Sequence, residues 1–202
     1  MGATNIDTTA TPTATPTPTP TATATAADTD RRVRVLESAL TTFARYGYRK
    51  TSMDQVANDA DISRPGLYFL FTSKETIFRA AVTQALNNDL SAADAALSSD
   101  RALAERLLDA FDHWAGSYVG PLARDIAGVI DDNPRLLGDI VTTAPQRFEG
   151  LITQALASDR SPDRASALAR TLISTSIGLK HQVDLRAEYR DRLRVALELL
   201  GL

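Results

Sequence analysis

The sequence predicts an all-α protein of about nine helices. From Arg31 to the C-terminus apolar residues recur at three- and four-residue steps. No alternating stretch is long enough to build a sheet, and Ser, Thr or Asp starts and Gly or Pro stops punctuate the pattern at helix-length intervals. With 202 residues, 44% of them apolar, the chain can bury a sizeable core in one or two domains.

Residues 1–30 stand outside this pattern. Their Thr/Ala/Pro alternation carries no large apolar side chain apart from Met1 and Ile6, too little to offset the entropy of ordering. A disordered tail is expected. A glycosylated stalk, a partner-binding arm or a translation start assigned too far upstream are the alternatives.

Val33, Leu36, Leu40 and Phe43 stripe the first helix, which Gly47 should stop. Ser52 with Gln55 three residues later forms a capping box for a second helix of about eight or nine residues, whose apolar stripe is Met53, Val56, Ala57 and Ala60. Asp61 falls where the chain must turn sharply. Ser63 can cap a third helix, with Pro65 tolerated in its first turn. On that helix Leu67 and Phe71, at i and i+4, face inward; Pro65 and Phe69 point the opposite way, with Gly66 and Tyr68 on the flanks. Two short helices joined by a tight turn, the second with a small, partly cationic, aromatic outer face, make the pattern of a helix-turn-helix whose second helix enters the DNA major groove. Charge agrees. Residues 31–80 hold nine Lys or Arg against five Asp or Glu, net +4, whereas residues 81–202 hold thirteen against seventeen, net −4, and residues 1–30 add −3.

The run TTFARYGYRKTSMDQVANDADISRPGLYFLFTSKETIF resembles the N-terminal DNA-binding region of the TetR family of transcriptional regulators. The resembling elements are Phe43, Tyr46-Gly47-Tyr48, Thr51-Ser52-Met53, Val56-Ala57, Ile62-Ser63, Leu67-Tyr68, Phe71 and Ser73-Lys74-Glu75, over roughly 45 residues in order. One position departs: where the family usually has a turn glycine, this chain has Asp61, which tolerates a left-handed backbone better than most residues. The resemblance implies a three-helix DNA-binding domain over residues 31–77, then a helical ligand-binding and dimerisation domain over residues 78–202. It further implies double-stranded DNA as partner, a palindromic operator bound by a homodimer, and repression relieved by an unknown small molecule that shifts the fourth helix.

For the DNA surface, Thr51, Ser52 and Ser63 stand beside free helix-start amides and are expected to seat phosphates. Tyr68 and Lys74 match family positions that grip the phosphate backbone. Base reading is expected from Arg64 on guanine, from Gly66 through close backbone approach, and from Pro65 and Phe69 on thymine methyls. The alternatives are that Phe69 folds back on the fourth helix, that Tyr68 is half-buried packing, and that Arg64 is a solvated charge or a phosphate contact. Arg31, Arg32 and Arg34 could reach phosphates or an adjacent groove, or form a solvated helix start.

The fourth helix should open with a capping box from Thr72 to Glu75 and continue through Leu86, Leu90, Ala93 and Leu97. Leu103, Leu107, Ala110, Phe111 and Trp114 mark a fifth helix, stopped by Gly120-Pro121; Ile126 and Ile130 mark a sixth. A seventh is expected from Pro134 to Ala157, broken or kinked at Pro145. Ser161-Pro162-Asp163 starts the next, whose Thr171–Leu179 stretch is uncharged, with small residues Ala167, Thr171, Ser174 and Gly178 on one face. The last runs from about Leu185 to Leu200. By resemblance, residues 162–200 carry the dimer interface. Helices four to eight should enclose an apolar pocket, with Phe111, Trp114, Tyr118 and Phe148 as candidate walls and His113, Arg147 and His181 as candidate polar contacts, although core packing explains each aromatic equally well.

Several function classes fall away. The chain has no cysteine, which excludes disulfides, thiol nucleophiles and cysteine-bound zinc. No phosphate-cradling glycine loop or catalytic triad pattern appears, so no enzyme activity and no cofactor are expected. Asp109, Asp112 and His113 lie at metal-ligand spacing, but the chain has only two histidines and no matching pair on another helix, so a metal is not expected. No apolar run approaches the ~18 residues of a membrane span, and a cytoplasmic protein is expected.

Overall fold

The computed structural model describes Met1 and residues 26–202. Most of the predicted disordered tail lies outside the described residues, but its last five do not: the first helix, α1, already begins at Ala26 and runs to Tyr46. All regular elements among the described residues are helical. Gly47, at φ +78°, ends α1 as expected. Next come α2 (Met53–Asp59) and α3 (Arg64–Leu70), then the long α4 (Lys74–Leu97), whose N-cap is Ser73, accepting from the Thr76 amide, in place of the expected Thr72.

The remaining helices are α5 (Leu103–Trp114), a 3₁₀ turn (Gly116–Tyr118), α6 (Pro121–Asp131), α7 (Pro134–Leu137), α8 (Ile140–Leu156), α9 (Pro162–Gln182) and α10 (Arg186–Leu199). The expected seventh helix is therefore two. The break falls at Gly138, whose φ +66°, ψ −147° is a glycine conformation, while Pro145 is accommodated inside α8.

Two apolar cores fill the molecule. The distal one joins the second half of α4 to α5, α8, α9 and α10 around Leu107, Phe111, Phe148, Leu172 and Tyr189. The proximal one centres on Phe43, Val56, Leu67, Phe71 and Phe78, with Phe43 and Phe78 edge to face at 5.0 Å. This second core does not close at residue 77: Phe78, Ala81 and Val82 of α4, Val129 of α6 and Leu137 of α7 complete it. Helix α6 thus forms a wall of the helix-turn-helix core.

Candidate nucleic-acid interface and distal cavity

The turn between α2 and α3 is made by Asp61, the one non-glycine residue with positive φ (52°) among the described residues. Its amide donates to Asn58 O and the Ile62 amide to Ala57 O, so the tight turn is intact without the glycine. Ser52 Oγ accepts from the Gln55 amide and Ser63 Oγ from the Gly66 amide, both at 3.2 Å, which fixes the two helix starts with their hydroxyls exposed.

Helix α3 has the predicted inside and outside. Leu67 and Phe71 are 0% and 1% exposed, while Phe69 is 90% exposed and does not fold back on α4. An aromatic ring left in water gains nothing for the fold. Around it stand Pro65, exposed, and Tyr68, 41% exposed. Arg64 pairs with Asp54 of α2 at 2.9 Å and lies 5.7 Å from the Tyr68 ring; both members of the pair are exposed. Gly66 leaves a gap that the Arg31 guanidinium approaches, bringing a second cation to this face from α1. Arg32 instead stacks on Phe71 at 4.3 Å and donates to Leu70 O, clamping α1 to the end of α3.

Two expected phosphate contacts are placed otherwise. Thr51 is buried, and its hydroxyl donates inward to Gly47 O at 2.9 Å. Lys74 points its ammonium at the loop after α1, donating to Tyr48 O and Thr51 O at 3.0 Å and Arg49 O at 3.4 Å, with the Tyr48 ring 4.6 Å away. The physical reason is common to both. Where α1 stops, its loop carbonyls have no helical donor, and these two side chains supply one.

The second feature is a cavity of about 590 Å³ within the distal helices, in the size range of small-molecule sites. Its walls include Leu86 of α4, Phe111 and Trp114 of α5, Tyr118, Ile130 of α6, Phe148 of α8 and Ile173 and Ile177 of α9. Trp114 stacks on Phe148 at 4.8 Å, and Phe111 meets Phe148 edge to face at 5.2 Å. Of the seven predicted lining residues, Phe111, Trp114, Tyr118, Phe148 and His181 are there. His113 and Arg147 are not. Both are exposed on outward helix faces, Arg147 donating to Asn87. Lys180, Asp131 and Ser176 line the cavity without any mark in the sequence: a lone charge near a helix end carries no local sign of what it faces.

The polar wall groups divide into spent and free. Tyr118 donates to Asp89 of α4 at 2.6 Å. Burial pushes the Asp89 carboxyl up to about 6 despite that bond and the nearby His113, and pushes the Tyr118 phenol well above its usual value. Ser176 is bonded to the Tyr189 hydroxyl at 2.8 Å, and burial pushes Tyr189 up to about 12. Lys180 and His181 form no ion pair or hydrogen bond through their side chains among the described residues.

Asp109 and Asp112, the carboxylates at metal-ligand spacing, are taken by arginines. Arg186 grips Asp112 through two bonds of 2.8 and 3.0 Å; Arg190 bridges Asp112 at 2.5 Å and Asp109 at 2.8 Å, and Arg101 also pairs with Asp109. Burial alone would raise Asp112, but these guanidiniums hold its carboxyl below the usual range. The cluster is a clamp between α5 and α10.

Residues 35–81 match the family described as bacterial regulatory proteins, tetR family. Over 125 residues the chain is 30% identical to the HTH-type transcriptional regulator YfiR of Bacillus subtilis, covering 61% of this chain and 51% of that protein. The chain thus spans about half the length of that curated relative, and less of others. Among solved structures it is similar to a TetR-like transcriptional regulator from Rhodococcus sp. RHA1, at TM-score 0.63 and 23% identity over 85% of this chain and 97% of that one. A putative transcriptional regulator from Saccharomonospora viridis, solved in complex with choline, is similar at TM-score 0.67 and 22% identity over 84% and 96%. These two likenesses establish the shared fold.

Proposed function

We propose that this chain is a transcriptional regulator of the TetR family rather than an enzyme, that it binds a palindromic operator in cytoplasmic DNA as a homodimer and represses transcription there, and that a small molecule entering the distal cavity releases it. The observation that carries the reading is the face of α3, where Phe69 stands 90% exposed opposite a fully buried Leu67. Ser52 and Ser63 would meet phosphates beside the helix starts, Tyr68 would lie against the backbone, and Arg64, Pro65, Gly66 and Phe69 would face base edges. Arg64 must leave Asp54 to do so. Because that pair is solvent-exposed it is worth about 0–1 kcal/mol, a small barrier against a guanine contact.

Two contacts support transmission from the cavity. Helix α4 supplies Leu86 to the cavity wall and Ile77 and Phe78 to the helix-turn-helix core, and α6 supplies Ile130 to the former and Val129 to the latter. A ligand that moves either helix changes the spacing of the two α3 helices from the roughly 34 Å between successive major grooves. The dimer reading rests on α9 and α10, whose Ile177, Val195 and Leu199 are 54%, 53% and 83% exposed and whose Ala167, Thr171 and Ser174 offer a flat small-residue face.

Selection of bound fragments from random duplexes tests the reading. An inverted repeat with half-sites one helical turn apart is expected, and retention of no duplex at low ionic strength would overturn it.

A further inference from the structure

We infer that the effector is an amphipathic carboxylate, an apolar body ending in one anionic group held by Lys180. This rests on the cavity being the effector site. The body follows from the walls, where the stacked rings of Trp114 and Phe148 and the aliphatic Leu86, Val141 and Ile173 present mainly apolar surface. The head follows from elimination among the polar groups. Tyr118 is committed to Asp89 and Ser176 to Tyr189, so neither is free to select a ligand. What remains is the Trp114 indole N–H, a neutral donor, and Lys180 and His181 in the last turn of α9, against one carboxylate, Asp131, in the exposed last turn of α6. Lys180 is half-buried and has no anionic partner among the described residues, Asp131 included. A half-buried lysine on the cavity wall without a counter-ion offers an anion a charge-assisted contact, and the pair it forms there is screened less than one in open water. Asp131, well solvated, gains far less from a cation.

Trp114 is the only tryptophan of the chain and lies in the cavity wall, so its fluorescence reports binding there. The full chain would be titrated with decanoate, decan-1-ol and decyltrimethylammonium, and in parallel the anisotropy of a bound operator duplex would be followed. Decanoate should bind on the order of tenfold more tightly than the alcohol, as expected for one charge-assisted contact, and the ammonium more weakly than either. Lys180→Met should bring decanoate down to the level of the alcohol, abolishing the preference between them; Lys180→Arg should retain most of it. A tighter ammonium, no saturable response to decanoate, or a carboxylate preference untouched by Lys180→Met overturns the assignment. Decanoate that binds at Trp114 yet leaves the DNA complex intact would instead overturn the regulatory reading while leaving the ligand class standing.

Discussion

Lys74 sits among three carbonyls of the loop that follows α1, and this decides what its removal should do. Lys74→Met removes charge-assisted bonds that hold the start of α2, with an expected loss of about 1–3 kcal/mol. Thermal unfolding should shift to lower temperature, and DNA affinity should fall through loss of order with the salt slope unchanged. A phosphate-gripping lysine would do the reverse: constant melting temperature and a slope smaller by about 1. Asp89 makes a second prediction. Its carboxyl titrates at about 6 in the fold against an ordinary value of 3.8, because burial disfavours its charge. The native state therefore holds the proton more tightly than the unfolded chain, and the associated stability is complete below about pH 4 and lost as pH rises through about 6. Asp89→Asn should raise the melting temperature at about pH 7.5, by on the order of 1–3 kcal/mol of stability, and change little at about pH 4. Some single residues were legible in the sequence for local reasons: Ser52 and Ser63 as caps, and Asp61 as a left-handed turn residue. The inward aim of Thr51 and Lys74 was not legible, since it depends on carbonyls that only the folded loop gathers.

At the level of elements, the inside and outside of α3 came directly from the i, i+4 spacing of Leu67 and Phe71. Phe69 on the free face should rest on a thymine methyl. Replacing that thymine by uracil, or Phe69 by Ala, should each cost about 1 kcal/mol of binding, roughly the value of one buried methyl group, while Phe69→Ala leaves the melting temperature unchanged because the ring is already in water. Equal affinity for the uracil site would remove the contact. The α5–α10 clamp gives a contrasting expectation. A Cβ at Gly116 would run into Asp112 Oδ1 and meet the Tyr189 ring at 3.1 Å, and Asp112 cannot yield while Arg186 and Arg190 hold it. Gly116→Ala should lower stability by about 2 kcal/mol or more in chemical denaturation, with DNA contacts untouched. Helix starts and stops were mostly readable because caps are local. The split of the expected seventh helix was misplaced because Pro145 draws the eye, whereas Gly138 breaks the chain by a backbone conformation that composition does not display.

For the whole molecule, helix content and order were legible from periodicity, while the expectation of a dimer came from the family resemblance, with the uncharged Thr171–Leu179 stretch asking only for burial on several sides. In the single chain the small-residue face of α9 and the apolar Ile177, Val195 and Leu199 are left open. Val195→Glu should shift sedimentation from dimer to monomer at micromolar concentration and, by splitting the two half-site contacts, weaken operator binding far more than binding to a single half-site. Around the cavity the aromatic walls Phe111, Trp114, Tyr118 and Phe148 were legible with His181, whereas Leu86, Asp131 and Lys180 were not, since they come together from separate helices. The boundary at residue 77, drawn where the motif ends, also understates the structure: Val129 and Leu137 seal the proximal core from the far side. Anyone building hybrid regulators should note the consequence. A reading head cut at residue 77 and spliced to a foreign sensor would leave Phe43 and Phe78 facing an ill-fitting neighbour, so working chimeras will need to carry α6 and α7 along with the head, or redesign the seam they cover.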